Sequence, residues 1–172
     1  MKNVLVVVDM QNDFIDRALG TKEAVQIVPE VIKAIQDESY DTVIATMDTH
    51  GEDYLKTREG KYLPVKHCIR DTEGWQLNEE VKQALEKRHV RIIEKPTFGS
   101  LTLQKLLAQE KPERIVFTGL CTDICVIANA CLVKAALYES DICVKEKATA
   151  GVTEQKKEAA LEVMRSQQIE IL

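Results

Sequence analysis

The sequence predicts an α/β fold, in which one domain spanning residues 1–172 forms a doubly wound, mostly parallel sheet with helices on both faces. Two observations predict this fold. Short apolar runs rich in β-branched residues recur along the chain, and longer segments with helical spacing separate them. The length suits a single domain, and 45% apolar residues are enough to bury a core without disulfides or metal ions.

The predicted strands are apolar on both faces, as expected for strands buried between two layers of helices. They lie at residues 3–8, 42–47, 90–93, 114–118, 142–144 and 169–172. The predicted helices lie between them, at residues 24–35, 77–86, 101–108, 123–137 and 153–166. Residues 49–74 are the exception, because this segment has little periodicity and contains two of the three histidines. A loop of this length inside a compact domain is usually functional or disordered.

Composition and charge argue against several partners. Lys and Arg are interspersed with Asp and Glu, and the net charge is −5, so nothing indicates a nucleic-acid-binding face. No apolar run approaches the roughly 20 residues that span a bilayer, and no signal peptide is predicted. The five cysteines are an odd number without CxxC spacing, so a disulfide framework is not expected. We expect a cytoplasmic protein; the sequence leaves a homo-oligomer open.

Polar side chains follow the first four predicted strands. Asp9, Asp48 and Lys95 come just after the first three, and the segment 119–125 follows the fourth. In a parallel sheet these positions meet at one edge, where ligands bind. A single such residue is more often a solvated loop charge, but four at corresponding positions favour a shared site.

Cys125 has the setting of a nucleophile. Thr122 is expected to be an N-cap and Asp123 a first-turn acid, which places Cys125 at the third position of a helix. There the helix dipole and a nearby Lys95 ammonium are expected to lower the pKa of the thiol. Free N–H groups of the same turn can donate to an oxyanion. The other cysteines in apolar runs, Cys131 and Cys143, are expected to pack as small hydrophobes.

Three segments carry a resemblance to a known family: VVVDMQNDF, EKPTFGS and GLCTDICV. They resemble the signature segments of the isochorismatase-like cysteine hydrolases, and their order and spacing cover essentially the whole chain. The resemblance implies the Rossmann-like fold of that family, with Asp9 as general base, Lys95 as the residue that polarises and orients the site, and Cys125 as nucleophile. It also implies a cis peptide between Leu120 and Cys121, with the amides of Cys121 and Cys125 forming the oxyanion hole.

A metal site is predicted beside these residues. Asp48 and His50 are two positions apart just past a strand, so both side chains are expected to point the same way, and Glu59 and His67 lie in the loop that follows. Asp48, His50 and His67 resemble the metal ligands of the nicotinamidase branch of the family. A further histidine of some members is absent, and Glu59 can take its place, Tyr54 being a weaker substitute. The expected cofactor is a divalent metal, zinc in the first place, with iron or manganese as alternatives.

The resemblance implies hydrolysis of a small-molecule amide, nicotinamide, to nicotinate and ammonia through a cysteine thioester. Phe14 and Phe98 are expected to form walls for the ring, because they lie close in the sequence to Asp9 and Lys95. Related cysteine hydrolases of other small amides, N-carbamoyl or ureido compounds are the first alternative, and Cys125 argues against isochorismate as substrate. A non-catalytic binding protein of the same fold would be expected to lack part of the triad. A phosphoaspartate phosphatase would require a second Asp where Gln11 stands.

Overall fold

The computed structural model describes residues 3–172 and contains one six-stranded sheet in the order β3-β2-β1-β4-β5-β6. All of its strand pairs are parallel, so the predicted α/β sheet is confirmed and is parallel throughout. The strands are β1 (Asn3–Val8), β2 (Thr42–Asp48), β3 (Arg91–Lys95), β4 (Arg114–Leu120), β5 (Asp141–Ala150) and β6 (Glu170–Ile171).

Helices cover both faces of this sheet. They are α1 (Asn12–Ile15), α2 (Lys22–Gln36), α3 (Arg58–Tyr62), α4 (Glu79–Glu86), α5 (Leu101–Glu110), α6 (Ile127–Ala136) and α7 (Glu154–Ser166). The central strand β1 shows how the two layers form. Leu5 and Val7 join a core with residues of α2 and α4, whereas the alternate side chains of β1 join a second core with α5, α6 and α7.

The strand order places a crevice at the carboxyl ends of β1 and β4. From β1 the chain builds outward through β2 and β3, and it then returns to add β4, β5 and β6 on the other side of β1. Ligands of open parallel sheets bind where the order reverses in this way. Asp9 directly follows β1, and Cys121 directly follows β4, so both lie at this point.

The segment 49–74 is ordered by short local elements. A 3-10 turn at Tyr54–Lys56 precedes α3, and Thr57 caps α3 by accepting a hydrogen bond from the N–H of Gly60. His50 and Ile69 form an isolated parallel bridge, in which the N–H of His50 donates to the carbonyl of Cys68 at 2.9 Å. The weak periodicity predicted a loop, and the structure shows that this loop folds back onto the end of β2.

Among residues 3–172, no helix combines the length and the apolar character needed to cross a membrane.

Gly119 is required by the close approach of β4 to β1. Its φ is +103°, and a Cβ built there would collide with the backbone carbonyl of Val8. We expect Gly119→Ala to lower the free energy of unfolding by more than about 2 kcal/mol, measured by urea denaturation. Gly51→Ala is the matched control, since a Cβ there would meet only the end of the Asp53 side chain, at 2.9 Å. Equal stability of the two variants would contradict this expectation.

Candidate active site

Asp9, Lys95 and Cys125 meet at the carboxyl edge of the sheet. The Nζ atom of Lys95 lies 2.6 Å from Asp9 Oδ2 and 3.5 Å from Cys125 Sγ. All three residues are buried, with exposed fractions of 0% for Asp9, 1% for Lys95 and 5% for Cys125. The structure therefore brings together the three residues that the sequence placed on separate strand ends.

Asp9 is held so that one carboxylate oxygen faces the other two residues. It has a positive φ of 48°, and its Oδ1 atom accepts a hydrogen bond of 2.6 Å from Thr46 Oγ1. Its Oδ2 atom is buried and, apart from the ion pair with Lys95, receives no hydrogen bond from the described residues. Burial raises the pKa of Asp9. The negative charge of Asp48 raises it further, while the positive charge of Lys95 opposes the increase. An oxygen placed in this way is suited to accept a proton.

Lys95 connects Asp9 with a second carboxylate. Its Nζ atom donates to the carbonyl of Thr97 at 3.0 Å and lies 3.4 Å from Asp48 Oδ1. Burial alone would lower the pKa of Lys95, but the negative charge of Asp9 and the other nearby acidic groups raises it above its ordinary value. Lys95 is thus a permanent buried cation between two carboxylates.

The turn that carries Cys125 differs from the predicted one. Residues Thr122–Val126 form a π-helical turn that runs directly into α6, and the N-cap position is occupied by Cys121, not Thr122. The predicted cap is wrong because the Thr122 hydroxyl pairs instead with that of Thr149, at 2.8 Å. Cys125 is therefore the fourth residue of its helical turn, and Asn129 Nδ2 donates to its carbonyl at 2.8 Å.

The predicted lowering of the Cys125 pKa is also wrong. Burial of the thiol and the negative charge of Asp9 raise its pKa well above the ordinary value, and the attraction of Lys95 is too small to reverse this. The sequence places a cation near the sulfur, but it does not reveal how completely the sulfur is removed from water. The resting group is a thiol, so a base must take its proton before the sulfur can attack.

The backbone beside Cys125 contains a cis peptide bond and a closely bonded turn. The peptide bond between Leu120 and Cys121 is cis, as the resemblance implied. The N–H groups of Ile124 and Val126 both donate to the carbonyl of Cys121, at 3.1 and 3.0 Å. Neither the Cys121 nor the Cys125 N–H takes part in these two bonds, and both belong to the turn beside the sulfur.

Four side chains that could hold a metal lie together, with ligand atoms within 4.8 Å of one another: Asp48, His50, Glu59 and His67. Glu59 Oε1 lies 3.6 Å from the Nε2 atoms of both histidines. Asp48 Oδ2 lies 2.8 Å from His50 Nε2 and 3.6 Å from His67 Nε2. Tyr54 is not in this set, because its hydroxyl donates to the carbonyl of Leu63 at 2.9 Å.

The donor set fits a divalent metal. Zinc bonds of about 2.0–2.2 Å in a tetrahedron require ligand atoms about 3.3–3.6 Å apart, and three of the four separations given above are 3.6 Å. The fourth, 2.8 Å between Asp48 and His50, is a hydrogen bond that would have to open to admit a metal. His67 Nδ1 lies 2.9 Å from the carbonyl of Val65, which leaves Nε2 directed at the cluster. Burial alone would raise the pKa of Asp48, but the hydrogen bond from His50 and the nearby His67 lower it overall. Burial opposes a charge on His67, yet Asp48 and Glu59 raise its pKa to about 9. The cluster therefore stabilises positive charge.

One small cavity joins the cysteine to the metal-ligand cluster. Its volume is about 270 Å³, and Cys125, Asp48, Glu59 and His67 all line it. Two larger surface grooves contain neither a nucleophile nor these ligands. A third, of about 430 Å³, contains His50 and Glu59 but not Cys125, so we assign the site to the smaller cavity.

Aromatic and aliphatic side chains form the walls of the cavity. Phe14 is almost fully buried and lies 5.5 Å from the ring of His67, centroid to centroid, whereas Phe98 is 45% exposed at the rim. Both predicted wall residues therefore line the cavity, together with further side chains that the sequence did not single out: Leu19, Ile124 and Lys156. Trp75 does not line it and instead donates from Nε1 to Thr49 Oγ1 at 2.9 Å.

Comparison with known proteins identifies related chains. Residues 3–172 match the model of the isochorismatase domain family. The chain is 23% identical to the nicotinamidase of Saccharomyces cerevisiae over 170 residues, covering 73% of this chain and 78% of that protein.

Solved structures of the same kind superimpose on nearly the whole chain. The nicotinamidase/pyrazinamidase PncA of Bacillus subtilis has a TM-score of 0.86 and 27% identity, with 99% of each chain covered. The pyrazinamidase of Pyrococcus horikoshii, solved in complex with zinc, has a TM-score of 0.78 and 28% identity, covering 100% of this chain and 99% of that one.

Proposed function

The chain belongs to the isochorismatase domain family, and on that premise we propose that it is a nicotinamidase, a cysteine-dependent amide hydrolase that converts nicotinamide to nicotinate and ammonia. One observation carries the proposal. The nucleophile Cys125 and three of the four metal-ligand side chains, Asp48, Glu59 and His67, line the same small apolar cavity. Lys95 contacts Cys125, Asp48 and the buried base Asp9, and so connects the two parts of the site. A flat ring that carries both an amide and a basic nitrogen suits this arrangement.

The first half of the reaction uses Asp9 and Cys125. The Asp9 carboxylate takes the proton of the thiol as the sulfur attacks the carboxamide carbon, and the N–H groups of Cys121 and Cys125 donate to the oxygen that becomes negative. The carbon–nitrogen bond then breaks, and Asp9 returns the proton to the leaving nitrogen. Ammonia departs and a thioester on Cys125 remains.

The second half restores the cysteine. Asp9 takes a proton from a water molecule that attacks the thioester, the same N–H groups stabilise the second tetrahedral species, and the carbon–sulfur bond breaks. The proton on Asp9 returns to the sulfur as the acid is released, and the carboxyl group of the product loses its own proton to solvent to give nicotinate. Lys95 remains charged throughout and offsets the negative charge on Asp9 and on the sulfur.

The metal-ligand cluster is assigned to orientation of the substrate. When bound to Asp48, His50, Glu59 and His67, a divalent ion would supply a Lewis-acidic contact for the ring nitrogen. We propose zinc as the first metal to test, with iron and manganese as alternatives. Phe14 and Phe98 are proposed to contact the ring on the walls of the cavity.

An ammonia-release assay tests this function. We expect the purified protein to release ammonia from nicotinamide, to lose this activity after exhaustive chelation, and to regain it when zinc, iron or manganese is added. Benzamide is a matched control substrate, because it has the same amide without the ring nitrogen, and it should be hydrolysed more slowly. Full turnover after chelation would contradict the metal assignment. Activity only towards N-carbamoyl compounds would contradict the proposed substrate.

The pH dependence of kcat/KM follows from Asp9. Because burial and Asp48 raise its pKa above 3.8, and because it acts as a base only when deprotonated, activity is retained above the raised pKa and lost as the pH falls through it. We therefore expect kcat/KM to fall on the acidic side of its pH profile, with the midpoint of this acid limb above pH 3.8. The assay is repeated at several metal concentrations, since a limb that arises from the metal ligands would move with metal concentration. A metal-independent limb at or below pH 3.8 would show that the Asp9 pKa is not raised.

A further inference from the structure

Two buried side chains that follow β1, at the start of α1, bind the backbone that carries the metal ligands. Gln11 is fully buried, and its Oε1 atom accepts a hydrogen bond of 2.7 Å from the N–H of Asp48. Its Nε2 atom donates to the carbonyl of Asp48 and to that of Trp75, each at 2.8 Å. The amide of Gln11 therefore binds both backbone groups of a residue in the ligand cluster.

Gln11 replaces a missing strand partner. Strand β1 ends at Val8, which pairs with Thr46, so β2 extends beyond its neighbour and Asp48 has no partner residue in β1. On its other side Asp48 pairs with Lys95 of β3. The Gln11 amide presents one acceptor and one donor to Asp48, as a neighbouring strand would.

Asp13 holds the second part of the cluster. Its Oδ2 atom accepts a hydrogen bond of 2.8 Å from the N–H of Cys68, the residue that follows His67 and has a positive φ of 46°. The N–H of Asp13 donates to the carbonyl of Gly74 at 2.9 Å, and any Cβ at Gly74 would collide with the Asp13 carboxylate. Asp13 is thus packed tightly against the loop that carries His67.

We propose that Gln11 and Asp13 are positioning residues that hold Asp48 and His67 at metal-binding distance, an inference that rests on the proposed function only in requiring that the cluster binds a divalent ion. Asp9, Gln11 and Asp13 alternate along one short segment, so the base and the two positioning residues share one backbone. The same segment therefore determines both the position of the general base Asp9 and the distances between the metal ligands.

Zinc affinity, measured by competition with a chromophoric chelator, tests this inference without any substrate. Gln11→Met keeps the length of the side chain but removes all three hydrogen bonds, and we expect about a 10- to 100-fold weaker affinity for zinc per folded molecule. Arg88→Met is the matched control. Arg88 likewise makes three side-chain hydrogen bonds to the backbone, donating to the carbonyls of Ile35, Asp37 and Tyr40, but away from the cluster. This variant should lose stability and keep the affinity of the unmodified protein.

Variants at Asp13 provide a second test, which remains available if Gln11→Met does not fold. Asp13→Asn retains an oxygen that can accept from the Cys68 N–H, whereas Asp13→Ala does not. We expect weaker zinc binding in Asp13→Ala and recovery of most of the affinity in Asp13→Asn. If the unmodified protein binds zinc and both Gln11→Met and Asp13→Ala bind it with the same affinity, the inference is overturned. The proposed function is not affected by that result.

The outcomes separate this inference from the proposed function. If the unmodified protein binds no zinc, iron or manganese, the proposed metal role fails and the inference fails with it. If zinc binds and the variants weaken it as expected while nicotinamide is not hydrolysed, the inference stands and the proposed substrate is wrong.

Discussion

Cys125→Ser is expected to lower kcat for nicotinamide by about four orders of magnitude or more, the scale on which enzymes lose activity when the nucleophile of a catalytic triad is removed. The physical reason lies in the site. Asp9 is buried next to Lys95, so it can take the proton of a thiol far more easily than that of a serine hydroxyl, which is a much weaker acid. The oxyanion donors belong to the backbone and are retained in the variant.

Cys131→Ser is the matched control for this change. Cys131 is half-buried in α6 and does not line the cavity, so its replacement should leave kcat and KM close to those of the unmodified protein. Turnover by Cys125→Ser within tenfold of the unmodified enzyme would exclude the sulfur as nucleophile. Circular dichroism and zinc binding of the variant verify that only the chemistry was removed.

Lys95→Met is expected to have the largest effect on stability. The substitution leaves Asp9 buried with no cation beside it, whereas Asp48 keeps its contacts with His50 and His67. Breaking a buried ion pair from one side costs about 3–5 kcal/mol. Activity should fall as well, because the negative charge on Asp9 and on the sulfur is no longer offset. The stability deficit should be largest at neutral pH and shrink as the pH falls, since protonated carboxyl groups no longer require the cation.

Urea denaturation of two further variants tests the electrostatic cause. Lys95→Met combined with Asp9→Asn removes the carboxylate that is left unpaired, and we expect it to recover about 1–3 kcal/mol relative to the sum of the single changes. Lys105→Met replaces an exposed lysine of α5 and should change the free energy of unfolding very little. A loss in Lys95→Met no greater than that in Lys105→Met would show that the buried cation does not stabilise the fold.

The sheet could be predicted because its signal is local. Strands buried on both faces are continuous apolar runs, and the side chain after each run lies at the carboxyl edge whatever the details of packing. Asp9 and Asp48 were therefore found from their position alone, and His50 followed from its spacing to Asp48. The family model that matches residues 3–172 confirms the resemblance drawn from the three segments.

The features that the sequence did not predict depend on packing between distant residues. Thr122 is a residue type that often caps helices, but its hydroxyl pairs with the hydroxyl of Thr149, 27 positions away. The turn that follows is π-helical. The pKa of Cys125 depends on how completely the thiol is buried. The sequence predicts that Lys95 lies near the thiol, but it does not show the extent of this burial.

From the sequence alone, Gln11 argues only against a phosphatase, although it lies in one of the three segments that resemble the family. Its two bonds to Asp48 join residues 37 positions apart, and no periodic pattern records them. The position of Gln11, an amide side chain two residues after Asp9 at the end of a buried strand, could have indicated this role. Such an amide needs partners, and the backbone of the next strand is the nearest source.

The central claim is that Cys125 carries the acyl group during hydrolysis, and mass spectrometry of the enzyme quenched in acid during turnover tests it most directly. The account predicts one nicotinoyl group on the peptide that contains Cys125, present during turnover, lost when nicotinamide is exhausted, and absent from Cys125→Ser. Ammonia release with no acylated cysteine at any quench time, or with the nicotinoyl group on another residue, would contradict it.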